Sequence, residues 1–480
     1  MLFNTEEGAG LTVLAQAIQG VTGVNWRSNN ANNHARIDGF TITGADHSGG
    51  IFVNGYANWL EISNNRLIGN NGIYGGGIRI GNPQLTNGTT YTDNQNYNVD
   101  IHDNLVTENG STGGLGGGGI TIATGSRNYK VTGNFVCGNF STSDGGGIAL
   151  LGLSSPRVLL DRGRITQNKI IFNQTFNQGL NASGGGIVIA GLPALAAGGL
   201  SAGTGNVTVA ENVIQGNMAG AGDGGGIRTQ FVNGADAAQF RNFTAGWYEV
   251  SVRDNLIVDN IAGLAGGGIS LQDTARSEIS HNTVAHNDST ATAGDAFSPG
   301  TPNISNPQPA GVVSRAHSTA LRNAIGNSAA VAPYKTFSNP DFSNNIVWLN
   351  RSFYWEISIA DPGSFGLKPS VAGNGIWDLA VLGTVSCLNP KSGTLTSLSG
   401  PDGCSYSGAG LTANNTNNPS FVASYFNTSP GQTIQQQEVT TSLATAPAFD
   451  EGGNFIDLQF SPLTLIDPAT GLPYGSYRLP

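Results

Sequence analysis

The sequence predicts an all-β chain folded as a right-handed parallel β-helix, a solenoid whose coils each contribute several short strands. Two repeated phrases support this prediction. The first is Asn-x-φ-x-x-Asn, where φ is aliphatic, and it occurs eight times; the second, Gly-Gly-Gly-Ile-x-φ or a near variant, follows it in most copies. Apolar residues alternate within the phrases, as in Val99-x-Ile101 and Val207-x-Val209, and this is the period of a strand.

The spacing of the second phrase gives the size of one coil. Its isoleucine recurs at short intervals in some copies and at longer intervals in others, at Ile51, Ile78, Ile120, Ile148, Ile187, Ile227 and Ile269. The shortest repeats are under about thirty residues, which suits a coil of short strands joined by tight bends. The longer repeats keep both phrases, so their extra residues are predicted to be loops.

Each fixed letter of the phrases has a structural role. Glycine runs allow positive φ and close approach of neighbouring backbones at a corner. Asparagine tolerates the left-handed conformation at a bend, and its amide can bond to the asparagine of the next coil, forming a ladder. The aliphatic residue of the first phrase is expected to point inward and stack from coil to coil: Leu67, Val106, Val136, Ile170, Ile214, Ile257, Val284 and Val347.

The chain is predicted to be one continuous solenoid with caps at its ends, because a bare coil end is an unpaired strand edge. Residues 1–35 are interpreted as an N-terminal cap with a short helix over residues 11–18, and residues 36–290 as the regular coils. A Pro- and Ala-rich insertion is placed at 291–339, and the last coils with an irregular C-terminal cap at 340–480. Cys387 and Cys404 flank a turn-rich stretch, and they are either bridged, in an oxidising compartment, or free.

Composition narrows the function. The 480 residues carry a net charge of −10 and only 11% charged residues, which argues against nucleic acid as a partner. No apolar run is long enough to span a membrane, so membrane insertion is not expected. The composition is typical of a secreted protein, although no signal peptide is recognised in the sequence. We therefore expect an extracellular or cell-surface location, with the chain being a mature form or a segment of a larger protein.

The paired phrases resemble the repeats of chlamydial polymorphic outer-membrane proteins, which read Phe-x-x-Asn and Gly-Gly-Ala-Ile. They are also similar to bacterial right-handed β-helix repeats of the pectate-lyase-like superfamily, in which openings such as Ile37-Asp38-Gly39-Phe40-Thr41-Ile42-Thr43-Gly44 are common. The resemblance covers residues 36–290 well and 340–460 loosely. It implies the fold, but such repeats serve adhesins, passengers, lyases and epimerases alike.

Outward positions of the first strand in each coil predict a charged column. Four residues before the leading asparagine, successive coils carry Glu61, Asp100, Lys130 and Arg164. Neighbouring strands lie about 4.8 Å apart, so these side chains should form one continuous row. The simplest interpretation is charge pairing between adjacent strands.

The column also contains the residue types that proton transfer on a polysaccharide requires. In an enzyme, Asp100 or His102 would be the base, Lys130 and Arg164 would hold a substrate carboxylate, and Glu61 or Asp103 would adjust the pKa of the base. A second cluster has a similar makeup and competes with this interpretation: Glu211, Arg253, Asp254, Glu278 and His281.

Long insertions follow the glycine-rich strand in several coils, at 81–98, 152–163, 191–206 and 231–248. Because each occupies the same place in its coil, they are expected to gather on one side of the solenoid. Their aromatic residues suit stacking on sugar rings, or they pin the loops to the strands: Tyr91, Tyr97, Trp247 and Tyr248. No cofactor is expected; calcium is conceivable at Gly220-Ala221-Gly222-Asp223, but no metal-ligand spacing supports it.

Two classes of function remain open. The first is a binding, adhesin or scaffold module of a larger secreted protein, with a polysaccharide or a surface protein as its partner. The second is a carbohydrate-active lyase, epimerase or hydrolase with its site on the outer strand face. A cleft around one of the two charged clusters would favour the enzyme.

Overall fold

A computed structural model describes residues 8–14, 32, 34–156, 161–177, 181–357, 365–370, 375–383, 398–399, 405–406 and 419. Within these residues the chain forms a right-handed parallel β-helix, as the sequence predicted. Each coil passes through four sheets in a constant order, and we number these sheets 1 to 4 in the order in which one coil crosses them.

Sheets 1 and 2 hold the two strands that flank the leading asparagine of the first phrase. The nine strands of sheet 1 are Arg36–Asp38, Glu61–Ser63, Asp100–His102, Lys130–Thr132, Gly163–Thr166, Val207–Ala210, Val250–Arg253, Ser277–Ser280 and Asp341–Ser343. The nine strands of sheet 2 are Thr41–Thr43, Arg66–Ile68, Leu105–Thr107, Phe135–Cys137, Lys169–Ile171, Val213–Gln215, Leu256–Val258, Thr283–Ala285 and Ile346–Trp348.

Sheets 3 and 4 lie on either side of the glycine run. Sheet 3 is made of Asn71–Gly72, Gly110–Ser111, Phe140–Ser141, Gln174–Thr175, Met218–Ala219, Ile261–Ala262, Asp288–Ser289, Arg351–Ile357 and, antiparallel to the last of these, Phe365–Pro369. Sheet 4 has ten strands: Leu11–Val13, Ile51–Val53, Ile78–Ile80, Ile120–Ala123, Ile148–Leu151, Ile187–Ala190, Ile227–Gln230, Ile269–Leu271, Val312–Arg315 and Leu379–Leu382.

Helices are few and short in the described part of the chain. Two are α-helices, Ala235–Gln239 and Thr319–Ala324, and three are 3₁₀ turns, Thr244–Gly246, Gly294–Ala296 and Ala332–Tyr334. A separate antiparallel pair joins Leu398–Ser399 to Ser405–Tyr406. No helix among the described residues is both long enough and apolar enough to cross a membrane.

The aliphatic stack predicted from the first phrase is confirmed. Leu67, Val106 and Val136 occupy equivalent positions in three successive strands of sheet 2, each opposite the next. All eight predicted members are at most 2% exposed. Burial of each side chain contributes roughly 1.5 to 3 kcal/mol relative to leaving it in water, so this column is a main source of stability.

The asparagine ladder is confirmed at both bends that flank sheet 2. Within the described residues, Asn104 Nδ2 donates to Asn134 Oδ1 at 2.9 Å, and Asn109 Nδ2 donates to Asn139 Oδ1 at 2.9 Å. Asparagine tolerates the left-handed conformation, but these ladder residues do not adopt it. The positive φ belongs to the residue before each ladder asparagine, for example Asp103 at 54° and Glu108 at 59°. The asparagine is thereby freed to aim its amide along the stack.

The glycine run is required by close packing between coils. A Cβ built on Gly146 would lie 2.5 Å from the carbonyl oxygen of Gly185 and 2.7 Å from the backbone nitrogen of Gln174. Real side chains do not approach backbone atoms so closely. Any larger residue at this corner would therefore push neighbouring coils apart.

The ends of the solenoid differ in part from the sequence prediction. The helix expected over residues 11–18 is wrong at its start, because Leu11–Val13 is a strand that pairs in parallel with Ile51–Val53; residues 15–18 lie outside the described part. Three consecutive apolar and β-branched residues favour this strand because it completes the first rung of sheet 4. Cys387 and Cys404 also lie outside the described residues.

The long insertions all connect sheet 4 to sheet 1, so they leave the solenoid at the same corner, as predicted. The Pro- and Ala-rich stretch contains one strand of its own, Val312–Arg315, which pairs with Ile269–Leu271 and returns the chain to sheet 4. The solenoid is thus interrupted by loops without losing its register.

Candidate functional site

The predicted charged column exists on the outer face of sheet 1. In the parallel register, Glu61 lies opposite Asp100, Asp100 opposite Lys130, and Lys130 opposite Arg164. Arg36 extends the row by one strand, since it lies opposite Glu61. Adjacent members are about one strand spacing apart, about 4.8 Å. Five charged side chains therefore follow one another along the solenoid.

A cleft of about 470 Å³ opens over the first part of this column, on the side of the inserted loops. It is lined by His34, Trp59, Glu61, Asn98, Asp100, His102, Asn128 and Lys130. We call it the Trp59 cleft. Trp59 and His34 were not predicted from the sequence, because neither belongs to a repeated phrase. Only the position of Trp59, two residues before the outward Glu61, could have pointed to it.

Glu61 is the centre of the charge network in the Trp59 cleft. Its carboxylate accepts hydrogen bonds from His34 Nε2 at 2.6 Å, from His102 Nε2 at 2.9 Å, and from the Arg36 guanidinium. Partial burial alone would raise the pKa of Glu61, but these three partners outweigh it and lower the pKa to about 2. Glu61 is therefore a permanent negative charge at neutral pH and a weak base.

His102 lies between two carboxylates. Its Nε2 contacts Glu61, and its Nδ1 contacts Asp103 Oδ2 at 2.8 Å. Burial lowers the pKa of His102, but the hydrogen bonds to Asp103 and Glu61 dominate, so the pKa is raised above its ordinary value. The imidazole is thus stabilised in its protonated form, which can donate a proton but cannot accept one.

Of the remaining two cations of the column, one is paired with an acid and the other donates to neutral oxygens. Lys130 Nζ lies 3.2 Å from Asp100 Oδ2. Arg164 turns away from the acids, because its Nη1 donates to Asn128 Oδ1 at 3.1 Å and to the Arg162 carbonyl at 3.2 Å. The structure thus brings together all but one of the predicted catalytic residues; Arg164 reaches the cleft only through Asn128.

The competing cluster is less compact. Arg253 Nη1 pairs with its neighbour Asp254 at 2.8 Å, and both side chains are 44% exposed. Glu278 instead accepts hydrogen bonds from Ser251 and Ser280. Glu211 and His281 bond to Gln167 and Asn344 respectively. These contacts join neighbours along sheet 1 and do not converge on one point.

The aromatic residues predicted to bind substrate lie apart from one another. The Arg127 guanidinium lies over the ring of Tyr97, 4.4 Å from the centre of that ring. Tyr91 packs elsewhere, against the apolar cluster of Leu151, Val188 and Leu192. Trp247 is only 2% exposed and meets the ring of Tyr334 edge to face, so in this structure the ring packs inside the protein, and its role in stacking on a sugar stays a prediction. The hydrophobic drive to bury a large ring fixes Trp247 inside its loop.

Tyr248 packs against the main hydrophobic core, and burial raises its pKa. It therefore serves to anchor its loop to the solenoid.

Asp223, in the glycine-rich stretch considered for calcium, is bound instead by two arginines, Arg228 at 3.0 Å and Arg315 at 2.7 Å. Among the residues that the structure describes, no group of three or more His, Cys, Asp or Glu side chains is arranged to hold a metal ion.

Comparison of the chain with protein-family models, with curated proteins and with solved structures finds no match in any of the three. The site must therefore be interpreted from its own chemistry.

Proposed function

We propose that this protein is a β-helix binding module that recognises a polysaccharide at the Trp59 cleft, as part of a larger extracellular or cell-surface protein. The observation that carries the proposal is the half-buried Trp59 ring placed beside a set of charges that are already paired with one another. Aromatic rings provide a rigid apolar surface of the kind that sugar rings stack on, and fixed polar groups around them supply orientation.

The charge network supports binding more than catalysis. A general base must be able to accept a proton at the working pH. Glu61 has a pKa of about 2, the pKa of His102 is raised by hydrogen bonds to two carboxylates, and Asp100 is paired to Lys130. These groups form a fixed pattern of hydrogen-bond donors and acceptors, which suits a chain of sugar hydroxyls.

The second candidate is a carbohydrate-active enzyme, and two observations favour it. The first is the Trp59 cleft itself, because it opens over the charged column. The second is the raised pKa of His102, because it favours the protonated form that donates a proton to a glycosidic oxygen. We also propose, from the repeat phrases alone, kinship with the pectate-lyase-like β-helix proteins. A surface protein as partner remains the alternative within the binding class.

The test is a panel of neutral and acidic polysaccharides, measured for binding by affinity electrophoresis and for cleavage by new reducing ends and unsaturated products. We expect binding without cleavage, and we expect Trp59→Ala to weaken binding about tenfold or more, the loss of one stacked ring. Phe243→Ala is the matched control, because Phe243 is 61% exposed on another loop.

Three results would count against the proposal. Unchanged polysaccharide affinity in Trp59→Ala would show that the Trp59 cleft does not bind the polysaccharide. Equal weakening by Phe243→Ala would show that exposed aromatics act non-specifically. Cleavage products that disappear in His102→Ala would favour the enzyme.

A further inference from the structure

An exposed turn closes the tip of the first long insertion, 81–98. Thr86 and Tyr91 form an isolated antiparallel bridge, and between them the Asn87 amide donates to the Thr90 carbonyl at 3.1 Å. Tyr91 packs against an apolar cluster of the solenoid, which holds this turn in place. Every residue from Thr86 to Thr90 is exposed. We call residues 86–90 the Asn87 tip; it is fixed in shape but open to water.

The side-chain oxygen of Asn87 is surrounded by hydrogen-bond donors. The Thr89 and Thr90 amides donate to Asn87 Oδ1 at 3.0 and 2.8 Å, and the hydroxyl groups of the same two threonines lie 2.9 and 3.2 Å from it. An amide oxygen has two lone pairs, so four donors exceed what it can accept at once. The donors gain most when this oxygen becomes an anion, because a third lone pair then accepts. The Asn87 tip is therefore arranged to stabilise an oxyanion at Oδ1.

The residue after Asn87 supplies a nucleophile. It is Gly88, which has a φ of +91° and no side chain to shield its backbone nitrogen. The bond from the Thr89 amide folds the Asn87 side chain back over the peptide between them, which brings Cγ towards the Gly88 nitrogen. The Gly88 N–H donates to Thr86 Oγ1 at 3.1 Å, an exposed hydroxyl, so water can reach its proton. Nucleophile, electrophile and oxyanion donors thus lie within one turn.

Other asparagines that precede a glycine in the described part of the chain lack this arrangement. Asn54, Asn109 and Asn233 are at most 4% exposed. Asn71 is exposed, but it lies in a strand of sheet 3 that pairs with Gly110–Ser111, and no donor among the described residues bonds to its Oδ1. Asn71 therefore shares the neighbour and the exposure of Asn87 without its donors, which makes it an internal comparison.

We propose that Asn87 is a site of self-modification, at which the asparagine converts to aspartate and isoaspartate. The Gly88 nitrogen loses its proton to solvent and attacks Cγ of Asn87, and the Thr89 and Thr90 amides hold the oxyanion that forms. When this intermediate collapses, the Cγ–Nδ2 bond breaks, and Nδ2 takes a proton from water and leaves as ammonia. Water then opens the cyclic imide at either carbonyl, which gives an α-linked or a β-linked carboxylate. Each conversion adds one negative charge to the Asn87 tip and does not involve the Trp59 cleft.

The test is incubation of the full chain at neutral and at mildly alkaline pH, followed by peptide mapping that separates asparagine, aspartate and isoaspartate forms. We expect Asn87 to convert at least about tenfold faster than Asn71 in the folded protein, because the oxyanion donors surround Asn87 and not Asn71. Isoaspartate should be among the products, and the rate should rise with pH, since the attacking nitrogen must lose its proton. In guanidinium, where neither site keeps its surroundings, the two asparagines should convert at similar rates.

Two variants separate the nucleophile from the donors. Gly88→Ala should slow conversion about tenfold or more, because a Cβ shields the nitrogen and disfavours its positive φ. Thr89→Val combined with Thr90→Val should also slow it, since both hydroxyl donors are lost while both amides stay. Thr41→Val is the matched control, because it removes the hydroxyl of an exposed threonine elsewhere, and it should leave the rate unchanged.

Four results would overturn the proposal. They are the absence of isoaspartate at position 87, equal rates at Asn71 and Asn87 in the folded protein, a rate difference that persists in guanidinium, and unchanged conversion in the variants of the Asn87 tip. Polysaccharide binding at the Trp59 cleft plays no part in any of these outcomes.

Discussion

Replacement of Asn217 by alanine tests the ladder directly. Asn217 is fully buried in the middle of the stack. Its Oδ1 accepts from the backbone nitrogen and the Nδ2 of Asn173, both at 3.0 Å, and its Nδ2 donates to the Ile170 carbonyl and to Asn260 Oδ1, both at 2.9 Å. Asn217→Ala therefore removes four hydrogen bonds and leaves the Asn173 N–H without its side-chain acceptor.

The expected loss of stability is about 2 to 4 kcal/mol. Four neutral hydrogen bonds contribute a net of about 1 kcal/mol each, and water that enters the space left by the amide recovers part of this. The assay is guanidinium denaturation followed by circular dichroism, combined with hydrogen exchange at the Asn173 amide, because a solenoid can lose coils locally before it unfolds as a whole. We expect a lower midpoint and faster exchange at Asn173.

Asn71→Ala is the matched control, because Asn71 is an exposed asparagine in the neighbouring sheet 3. If Asn217→Ala and Asn71→Ala had the same midpoint and the Asn173 amide stayed protected, the ladder would not be a source of stability. Polysaccharide binding at the Trp59 cleft should be unchanged in both variants, which separates stability from recognition.

Two further predictions concern single polar groups. Tyr129 is fully buried and its hydroxyl has no hydrogen-bond partner, so Tyr129→Phe should leave stability unchanged or raise it by about 1 kcal/mol in the same denaturation assay; a clear loss would contradict this. Glu61 has a folded pKa of about 2, below its unfolded value of about 4.3, so its stabilising contribution is present above about pH 4.3 and is lost as pH falls towards 2. Glu61→Gln should therefore be less stable than the parent at about pH 6, with a difference that closes on acidification. Because the pKa of His102 is raised, its contribution to stability is lost at the other end, as pH rises through the folded pKa. If the difference in stability between Glu61→Gln and the parent protein did not vary with pH, the ion network around Glu61 would not be a source of stability.

The fold could be predicted because repetition makes one local rule serve every coil. The inward position of Val136 follows from alternation alone, and eight copies of the same phrase leave one register in which all the aliphatic residues stack. The ends of the solenoid are harder to predict from the sequence. Leu11–Val13 is too short to show a period, and only its pairing with Ile51–Val53 in three dimensions makes it a strand.

The site could be predicted only where it obeys the repeat. Glu61, Asp100 and Lys130 were found because their spacing from the leading asparagine is constant. Trp59 and His34 lie outside the repeated phrases, so their approach to the cleft depends on loop conformation that no spacing encodes. The pairing of Arg315 with Asp223 spans two coils and a long insertion, which places it beyond any pattern in the sequence.

The ladder that contains Asn217 also has a direction. Every bond between two ladder asparagines runs in the same sense, from the Nδ2 of one coil to the Oδ1 of the next coil towards the C-terminal end, beginning after the Ala45 amide donates to Asn70. The second Nδ2 proton of each asparagine donates back to a backbone carbonyl of the preceding coil. Aligned amide dipoles add, much as peptide dipoles add in a helix, and they place partial positive charge at the donating end. At that end Asn350 donates to the carboxylate of Asp378 at 2.7 Å. An acid at this point accepts the last amide and has no N–H with which to recruit another asparagine, so the row of amides is electrically polarised and chemically terminated by the same residue.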